Sequence, residues 1–359
     1  MSAKRVPVRP DLEDVTPYGA PQLDVPVQLN TNETPYAPPP AFTKKLLERI
    51  EALSLHRYPD RRAWELRTAL GERFGLPPAQ VWAANGSNEV LLQLFQAYGG
   101  ADRTLLLFSP GYSAHPLIAR VAGTAVASVD LDDDFRLTVE TATAAVRAHD
   151  PAIICLASPN NPTGVLVELE AIRALHDHSN ALVIVDEAYV EFSPQGDAAS
   201  AATLLAELPR LVVSRTFSKA WRLAGVRLGY LLAPEWVIDD LRKVRLPYHL
   251  DAMTQAAGLA ALEVADEITA HVEVISAERD RVQAALAAMD QVTVWPSAGN
   301  FLLFRTAMPG PALFEAMLAQ GVLIRDFSSG PRLSGCLRVT IGTPEENDRF
   351  IETLKECLA

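Results

Sequence analysis

The run Val212-Val213-Ser214-Arg215-Thr216-Phe217-Ser218-Lys219 ends an apolar stretch in hydroxyl side chains and one lysine, and Arg227 follows eight residues later. A lysine amine at a strand end can form a Schiff base with an aldehyde. The hydroxyls of Thr216 and Ser218 and the Arg227 guanidinium can hold a phosphate dianion. Aldehyde and phosphate together describe pyridoxal phosphate. A lone Ser-Lys pair is more often a solvated loop, so the neighbouring motifs decide.

Four of them stand around it. Asn85-Gly86-Ser87-Asn88-Glu89 opens a stretch in which Val90, Leu91, Leu94, Phe95 and Tyr98 form one helical stripe. Ser87 is expected to cap that helix, Gly86 lets an anion approach the backbone, and the helix dipole favours a phosphate there. Ser109-Pro110-Gly111-Tyr112 offers an aromatic side chain to stack on a flat ring. In Ser158-Pro159-Asn160-Asn161-Pro162-Thr163-Gly164 the proline restrains Asn161, whose amide can donate to a phenolic oxygen on the ring. Asp186-Glu187-Ala188-Tyr189 closes the run Leu182–Val185. A carboxylate at the end of a buried strand is costly unless paired, and a protonated pyridine nitrogen is a suitable partner. Tyr189 can bond the ring oxygen.

These residues need a scaffold that brings them to one edge. Short apolar runs at Thr104–Phe108, Ala125–Val129, Ile153–Ala157, Leu182–Val185, Leu211–Val213 and Val226–Ala233 alternate with helical stretches. Such runs read as strands buried on both faces. Alternating β and α predicts an α/β fold with a mainly parallel sheet covered by helices, and ligands then collect beyond the strands' carboxyl ends. All five motifs fall at such ends. Pro38-Pro39-Pro40 opens a helix to about Leu53. Later, an alanine-rich helical stretch at 254–289 precedes strand candidates Val292–Trp295, Phe301–Phe304, Val322–Ile324 and Leu337–Ile341. The expected organisation is a proline-rich arm (1–29), a large domain (30–248) and a smaller α+β domain (249–359).

The 359 residues are 49% hydrophobic and 21% charged, enough for two domains. The net charge of −12 disfavours nucleic acid and membrane surfaces as partners. Cys155, Cys336 and Cys357 are too widely spaced for a disulfide framework or zinc site. Cys155 reads as a small buried hydrophobe. The compartment expected is the cytoplasm, since no apolar segment after Met1–Pro10 makes a signal peptide or a membrane span. His176 and His178 do not face each other on a helix; they read as solvated, and no metal is expected. His115 and His249 lie close to motifs without an assigned role. Asn32-Glu33-Thr34 and Asn85-Gly86-Ser87 match a glycosylation sequon but are read otherwise. There is no G-x-G-x-x-G, Walker A, G-x-S-x-G or H-E-x-x-H motif.

Taken in this order, the motifs resemble the fold-type-I pyridoxal phosphate aminotransferases over nearly the whole chain. The resemblance implies that Lys219 carries the cofactor and shuttles a proton, and that Asp186 pairs the pyridine nitrogen. It implies that Asn161 and Tyr189 hold the ring oxygen and that Tyr112 stacks on the ring. Ser87, Asn88, Thr216, Ser218 and Arg227 would hold the phosphate. His56-Arg57-Tyr58-Pro59-Asp60 resembles the segment that lends a tyrosine, here Tyr58, to the partner subunit's phosphate site, which implies a homodimer.

Thr16-Pro17-Tyr18, Leu29-Asn30-Thr31-Asn32-Glu33-Thr34-Pro35, Arg245-Leu246-Pro247-Tyr248-His249 and Ser334-Gly335-Cys336-Leu337-Arg338 are similar to the subfamily that acts on histidinol phosphate. By that likeness Tyr18, Asn161, Arg325 and Arg338 grip a substrate phosphate, Tyr248 joins them, and Asn32 lines the site. Thr34 stands where the family often has asparagine. The reaction implied moves an amino group from histidinol phosphate to 2-oxoglutarate, giving imidazole acetol phosphate and glutamate. Rival readings are an aromatic amino acid aminotransferase, a phospho-amino-acid decarboxylase, and a non-catalytic pyridoxal-phosphate-binding regulator.

Overall fold

The computed structural model describes residues 6–17 and 19–359. After β1 (Val27–Gln28), Pro40 opens α1 (Pro40–Glu51) at a position where its missing N–H costs nothing. α2 (Trp64–Phe74) ends on Gly75 at φ 65°, a left-handed cap. There follow β2 (Val81–Ala84), α3 (Ser87–Tyr98), β3 (Thr104–Ser109), α4 (Ala114–Val121) and β4 (Ala125–Asp130). α5 (Val139–His149), capped by Thr138, leads to β5 (Ile153–Ala157), α6 (Leu169–Asp177), β6 (Leu182–Asp186), β7 (Leu211–Thr216), β8 (Gly229–Leu232) and α7 (Glu235–Val244).

The alanine-rich stretch expected as one helical run is three helices: α8 (Ala252–Glu263), capped by Asp251, then α9 (Ala265–Thr269) and α10 (His271–Ala287). β-Branched Val264 and a bend at Ala270 interrupt it. Then come β9 (Val292–Val294), β10 (Phe301–Thr306), α11 (Gly310–Ala319), β11 (Val322–Leu323), β12 (Arg325–Asp326) and β13 (Cys336–Thr340). A Thr343/Glu346 capping box opens α12 (Pro344–Leu358).

The large sheet has the order β2-β8-β7-β6-β5-β3-β4. It is parallel from β7 to β4, while β8 runs antiparallel to both its neighbours. Alternate residues of its strands enter two separate apolar layers. Leu105, Leu107, Ile153, Leu182, Ile184 and Val212 pack with α3, α4 and α7 side chains. Leu106, Phe108, Ile154, Val183, Val185 and Val213 join the other layer. Two expectations need correction. β4 is the sheet's edge and its side chains are largely exposed, so it is not buried on both faces. Val226 belongs to a short 3-10 turn, and the strand expected from it starts only at Gly229.

A second sheet, β12-β13-β10-β9, is antiparallel, and β1 pairs with β11. Residues 27–28 of the expected arm are thus stitched to the late part of the chain.

Register sets the site. Ala157 lies beside Asp186, Asp186 beside Ser214, and Thr216 beside Gly229, which in turn faces Ala84. Gly229 lets the start of α3 settle on β8: a Cβ there would stand 2.3 Å from the Ser87 amide nitrogen and 2.4 Å from the Gly86 carbonyl carbon. Gly229→Ala is therefore expected to lower stability by about 1–3 kcal/mol, seen as a reduced denaturation midpoint. Gly225→Ala, whose Cβ meets nothing within 4 Å, should leave the midpoint nearly unchanged.

Candidate active site

Asp186 ends β6 with only 3% of its surface exposed. One oxygen, Oδ2, accepts from His115 Nε2 at 3.3 Å. The other, Oδ1, has no partner among the described residues, and Asp186 lines a cavity of about 350 Å³. A buried acceptor in that condition is costly, which is the state expected of a group that awaits a donor. His115, on the first turn of α4, is itself buried. Burial opposes its charge, but Cys155 and Asp186 outweigh that and raise its pKa to about 10. Its Nδ1 lies 3.8 Å from Cys155 Sγ, and Tyr112 meets the ring edge-on. Sequence reasoning left His115 without a role; its place one helical turn after Tyr112 was the available signal.

On the neighbouring strand, β7 delivers Lys219. Its amine donates to the Thr31 carbonyl at 2.8 Å. Burial first, then the nearby Arg338 and Arg227 charges, lower its pKa to about 7, against the pull of Glu33. Arg227 donates to Ser218 Oγ at 3.3 Å, Thr216 Oγ1 donates to the same oxygen at 2.9 Å, and the Ser218 amide donates back to Thr216 at 3.1 Å. Arg227 lies across Gly86 so closely that a Cβ there would stand 2.6 Å from the guanidinium. Ser87 does not cap α3 as expected. Gly86 is the N-cap and Ser87 the first helical residue, because φ 82° at the cap suits only glycine. The first amides of a helix have no acceptor within it, and Ser87 and Asn88, which open α3, line the same cavity.

Across the cavity, Tyr189 accepts hydrogen bonds from Asn32 at 3.1 Å and from Asn161 at 3.3 Å. Asn32 is held by Thr340 and Asn300, at positive φ and fully buried. Arg338, 5% exposed, donates to Asn161 Oδ1 at 2.5 Å and to the Asn30 carbonyl at 2.7 Å, and packs against Phe301 and Phe327. Arg325 lines the same space and donates twice to the Gly19 carbonyl. Two guanidinium groups therefore sit beyond the phosphate cradle, a second anion-binding end.

The structure brings Lys219, Asp186, Asn161, Tyr189, Asn32, Thr216, Ser218, Arg227, Ser87, Asn88, Tyr112, Arg325 and Arg338 around one cavity. Tyr58 and Tyr248 are not among its lining. They stack on each other, centroids 4.3 Å apart, at an exposed face where Tyr58 is 78% accessible. Tyr18 lies outside the described residues. His176 is buried, with Nδ1 2.8 Å from Asp177, so it is not the solvated histidine expected. Glu187, one residue after Asp186, turns the other way and pairs with Arg215, Ser200 and the Ala201 amide. It anchors the 197–201 turn. Asn32 and Asn85 are engaged internally.

An acceptor oxygen without a partner among the described residues, an amine of low pKa and a polar corner built around a glycine at φ 82° fit pyridoxal phosphate: Asp186 would hold the ring nitrogen, Lys219 the aldehyde, and Thr216, Ser218, Arg227 and the start of α3 the phosphate.

Known proteins resemble this chain over nearly its whole length. Histidinol-phosphate aminotransferases of Corynebacterium diphtheriae and Thermobifida fusca are each 47% identical to this chain. The alignments cover 98% and 97% of it and 96% and 95% of those proteins. A crystal structure of histidinol-phosphate aminotransferase from Sinorhizobium meliloti, in complex with pyridoxal-5'-phosphate, shares the fold. Its TM-score is 0.86 at 24% identity, over 99% of this chain and 98% of that one. The family pattern for class I and II aminotransferases matches residues 25–354, and this chain belongs to that family.

Proposed function

We propose that the chain transfers the amino group of histidinol phosphate to 2-oxoglutarate, giving imidazole acetol phosphate and glutamate, with pyridoxal phosphate as cofactor. The likeness to histidinol-phosphate aminotransferases at 47% identity over nearly the full length carries this reading. The paired guanidiniums of Arg325 and Arg338 give it a physical basis. A phosphate offers more charge and more acceptors than a carboxylate, and two forks can meet it. The same forks accept the carboxylates of 2-oxoglutarate in the second half-reaction. A phenyl side chain would leave one of them without an anion, which disfavours the aromatic alternative.

When bound, pyridoxal phosphate supplies an aldehyde carbon for the amino group and a ring that takes up electron density from the substrate carbon. The chain does the rest. Asp186 holds the ring nitrogen's proton and is itself steadied by His115. Asn161 and Tyr189 orient the ring oxygen. Lys219, with its pKa near 7, carries a proton to and from the substrate carbon at neutral pH. Arg338 joins the substrate end to the cofactor end through its bond to Asn161.

The arm, large domain (30–248) and small domain (249–359) remain our division of the chain. The paired guanidiniums would then come from the small domain, and the cofactor's contacts from the large one. A homodimer belongs to the same proposal: the stacked Tyr58–Tyr248 pair is exposed, as are Leu55 and Leu246 close by in sequence. Exposed apolar side chains of this kind support a contact surface on that side of the molecule. No helix among the described residues is long and apolar enough to cross a membrane.

Purified protein offered histidinol phosphate, phenylalanine or phosphothreonine should turn over the first best; faster turnover of phenylalanine would reject the assignment. In Arg325→Gln, KM for histidinol phosphate should rise about 10- to 100-fold, the equivalent of one charge-assisted hydrogen bond, with a smaller change in kcat. Lys219→Ala should lose the absorbance band of lysine-bound cofactor and about 10⁴-fold in rate; a surviving band reducible by borohydride would point to another lysine.

The Lys219 amine also predicts a pH effect in the cofactor-free protein. Its folded pKa near 7 lies below the ordinary 10.5, so between those values the unfolded chain binds the extra proton and stability rises with pH. Below pH 7 both states are protonated and the penalty is fully present. Wild type should therefore gain stability relative to Lys219→Met as pH goes from 7 to 9, measured by urea unfolding. A flat difference would contradict the depressed pKa.

A further inference from the structure

We propose that Cys155 is a positioning residue for the acid beneath the cofactor: its sulfur occupies Nδ1 of His115, so that Nε2 is the ring nitrogen turned to Asp186. This rests on the reading above that Asp186 pairs the cofactor's ring nitrogen. Strand alternation brings the three groups together. Ile153 and Cys155 on β5 share the sheet face of Leu182 and Ile184 on β6, and Asp186 continues that alternation. α4 covers this face and lays His115 across both strand ends, 3.8 Å from Cys155 Sγ and 3.3 Å from Asp186 Oδ2. All three side chains are buried.

The protonation logic is local. An ionised carboxylate only accepts, so the ring nitrogen facing it must carry a proton. Both nitrogens of a charged imidazole donate, so the bond that one of them makes fixes how the ring presents the other. With a sulfur at Nδ1, that nitrogen has a partner in an otherwise apolar layer. With an aliphatic side chain at position 155, Nδ1 would be a buried polar atom left unsatisfied. The ring would then be free to turn, and the carboxylate would lose its fixed donor.

A purely space-filling cysteine gives the opposite order of variants. If only apolar volume matters, Cys155→Ala is tolerated better than Cys155→Ser. If the polar contact matters, Ser rescues what Ala loses. The test uses the full-length protein with two readouts besides turnover. One is the dissociation constant of pyridoxal phosphate from the cofactor-free chain; the other is the pH midpoint of the absorbance of lysine-bound cofactor. Groups that bear on that midpoint are Asp186, His115 and Tyr112 on the ring side, and Lys219, Tyr189, Arg227, Arg338 and Glu33 around the amine. All are unchanged by the single substitutions at Cys155.

Cys155→Ala should raise the dissociation constant about tenfold, a typical loss for a group that orients a ligand's partner, and move the midpoint by about half a pH unit. Cys155→Ser should restore both to within about twofold. In a His115→Phe background, the same Cys155→Ala change should add nothing further. Equal values for Ala and wild type, or a serine variant worse than alanine, would overturn the proposal. Should the alanine variant fail to fold by circular dichroism, Cys155→Val, nearly isosteric, takes its place with the same expectations. A wild-type chain that takes up no pyridoxal phosphate would overturn the underlying reading and this proposal with it. That outcome is told apart because no variant enters into it.

Discussion

A buried carboxylate with one oxygen unpartnered among the described residues is the constraint around which this site is arranged. Asp186 sits at the end of a strand that is apolar on both faces, where an isolated charge is strongly disfavoured. His115 covers one oxygen, and the cavity lies before the other. A cationic ring nitrogen is the kind of group that makes such a position favourable. The cost of burying the acid in the empty protein then becomes part of the affinity for the cofactor, because both are relieved when the pair forms.

The fold meets this constraint by register. Parallel strands β5, β6 and β7 end together, so the turns after them present Asn161, Asp186 and Lys219 side by side. The antiparallel strand β8 then does something that a further parallel strand could not. It returns directly from β7 through the loop that carries Arg227, and it begins at Gly229, where the missing side chain lets α3 drop onto the sheet. The start of α3, the hydroxyls and the guanidinium thereby meet at one corner of the cavity without a crossover helix in the way.

Much of this was legible in the chain. The apolar runs and the turns after them located the strand ends, because buried strands and Gly/Pro/Asn turns have strong local signatures. Other features depended on contacts distant in sequence. Which strands pair makes β4 the edge, although Ser128 and the small Ala125 and Ala127 already make its run less apolar than Leu105–Phe108. Ser87 as a cap follows from residue type, but the backbone turns at Gly86 with φ 82°, which makes the glycine the N-cap and Ser87 the first helical residue. Cys155 looked like filler because its partner, His115, lies on another element. Glu187 was silent for the same reason: the alternation that turns Asp186 to the cavity turns its neighbour to Arg215.

The two ends of the cavity are also linked through Lys219. After burial, the charges of Arg338 and Arg227 are what lower its pKa. In the proposed reading Arg227 would meet the cofactor's phosphate and Arg338 the substrate anion, and a negative charge on either guanidinium would offset the positive field at the amine. Both ends of the cavity would then act on the basicity of Lys219 through charge alone, with the arginines as the shared element.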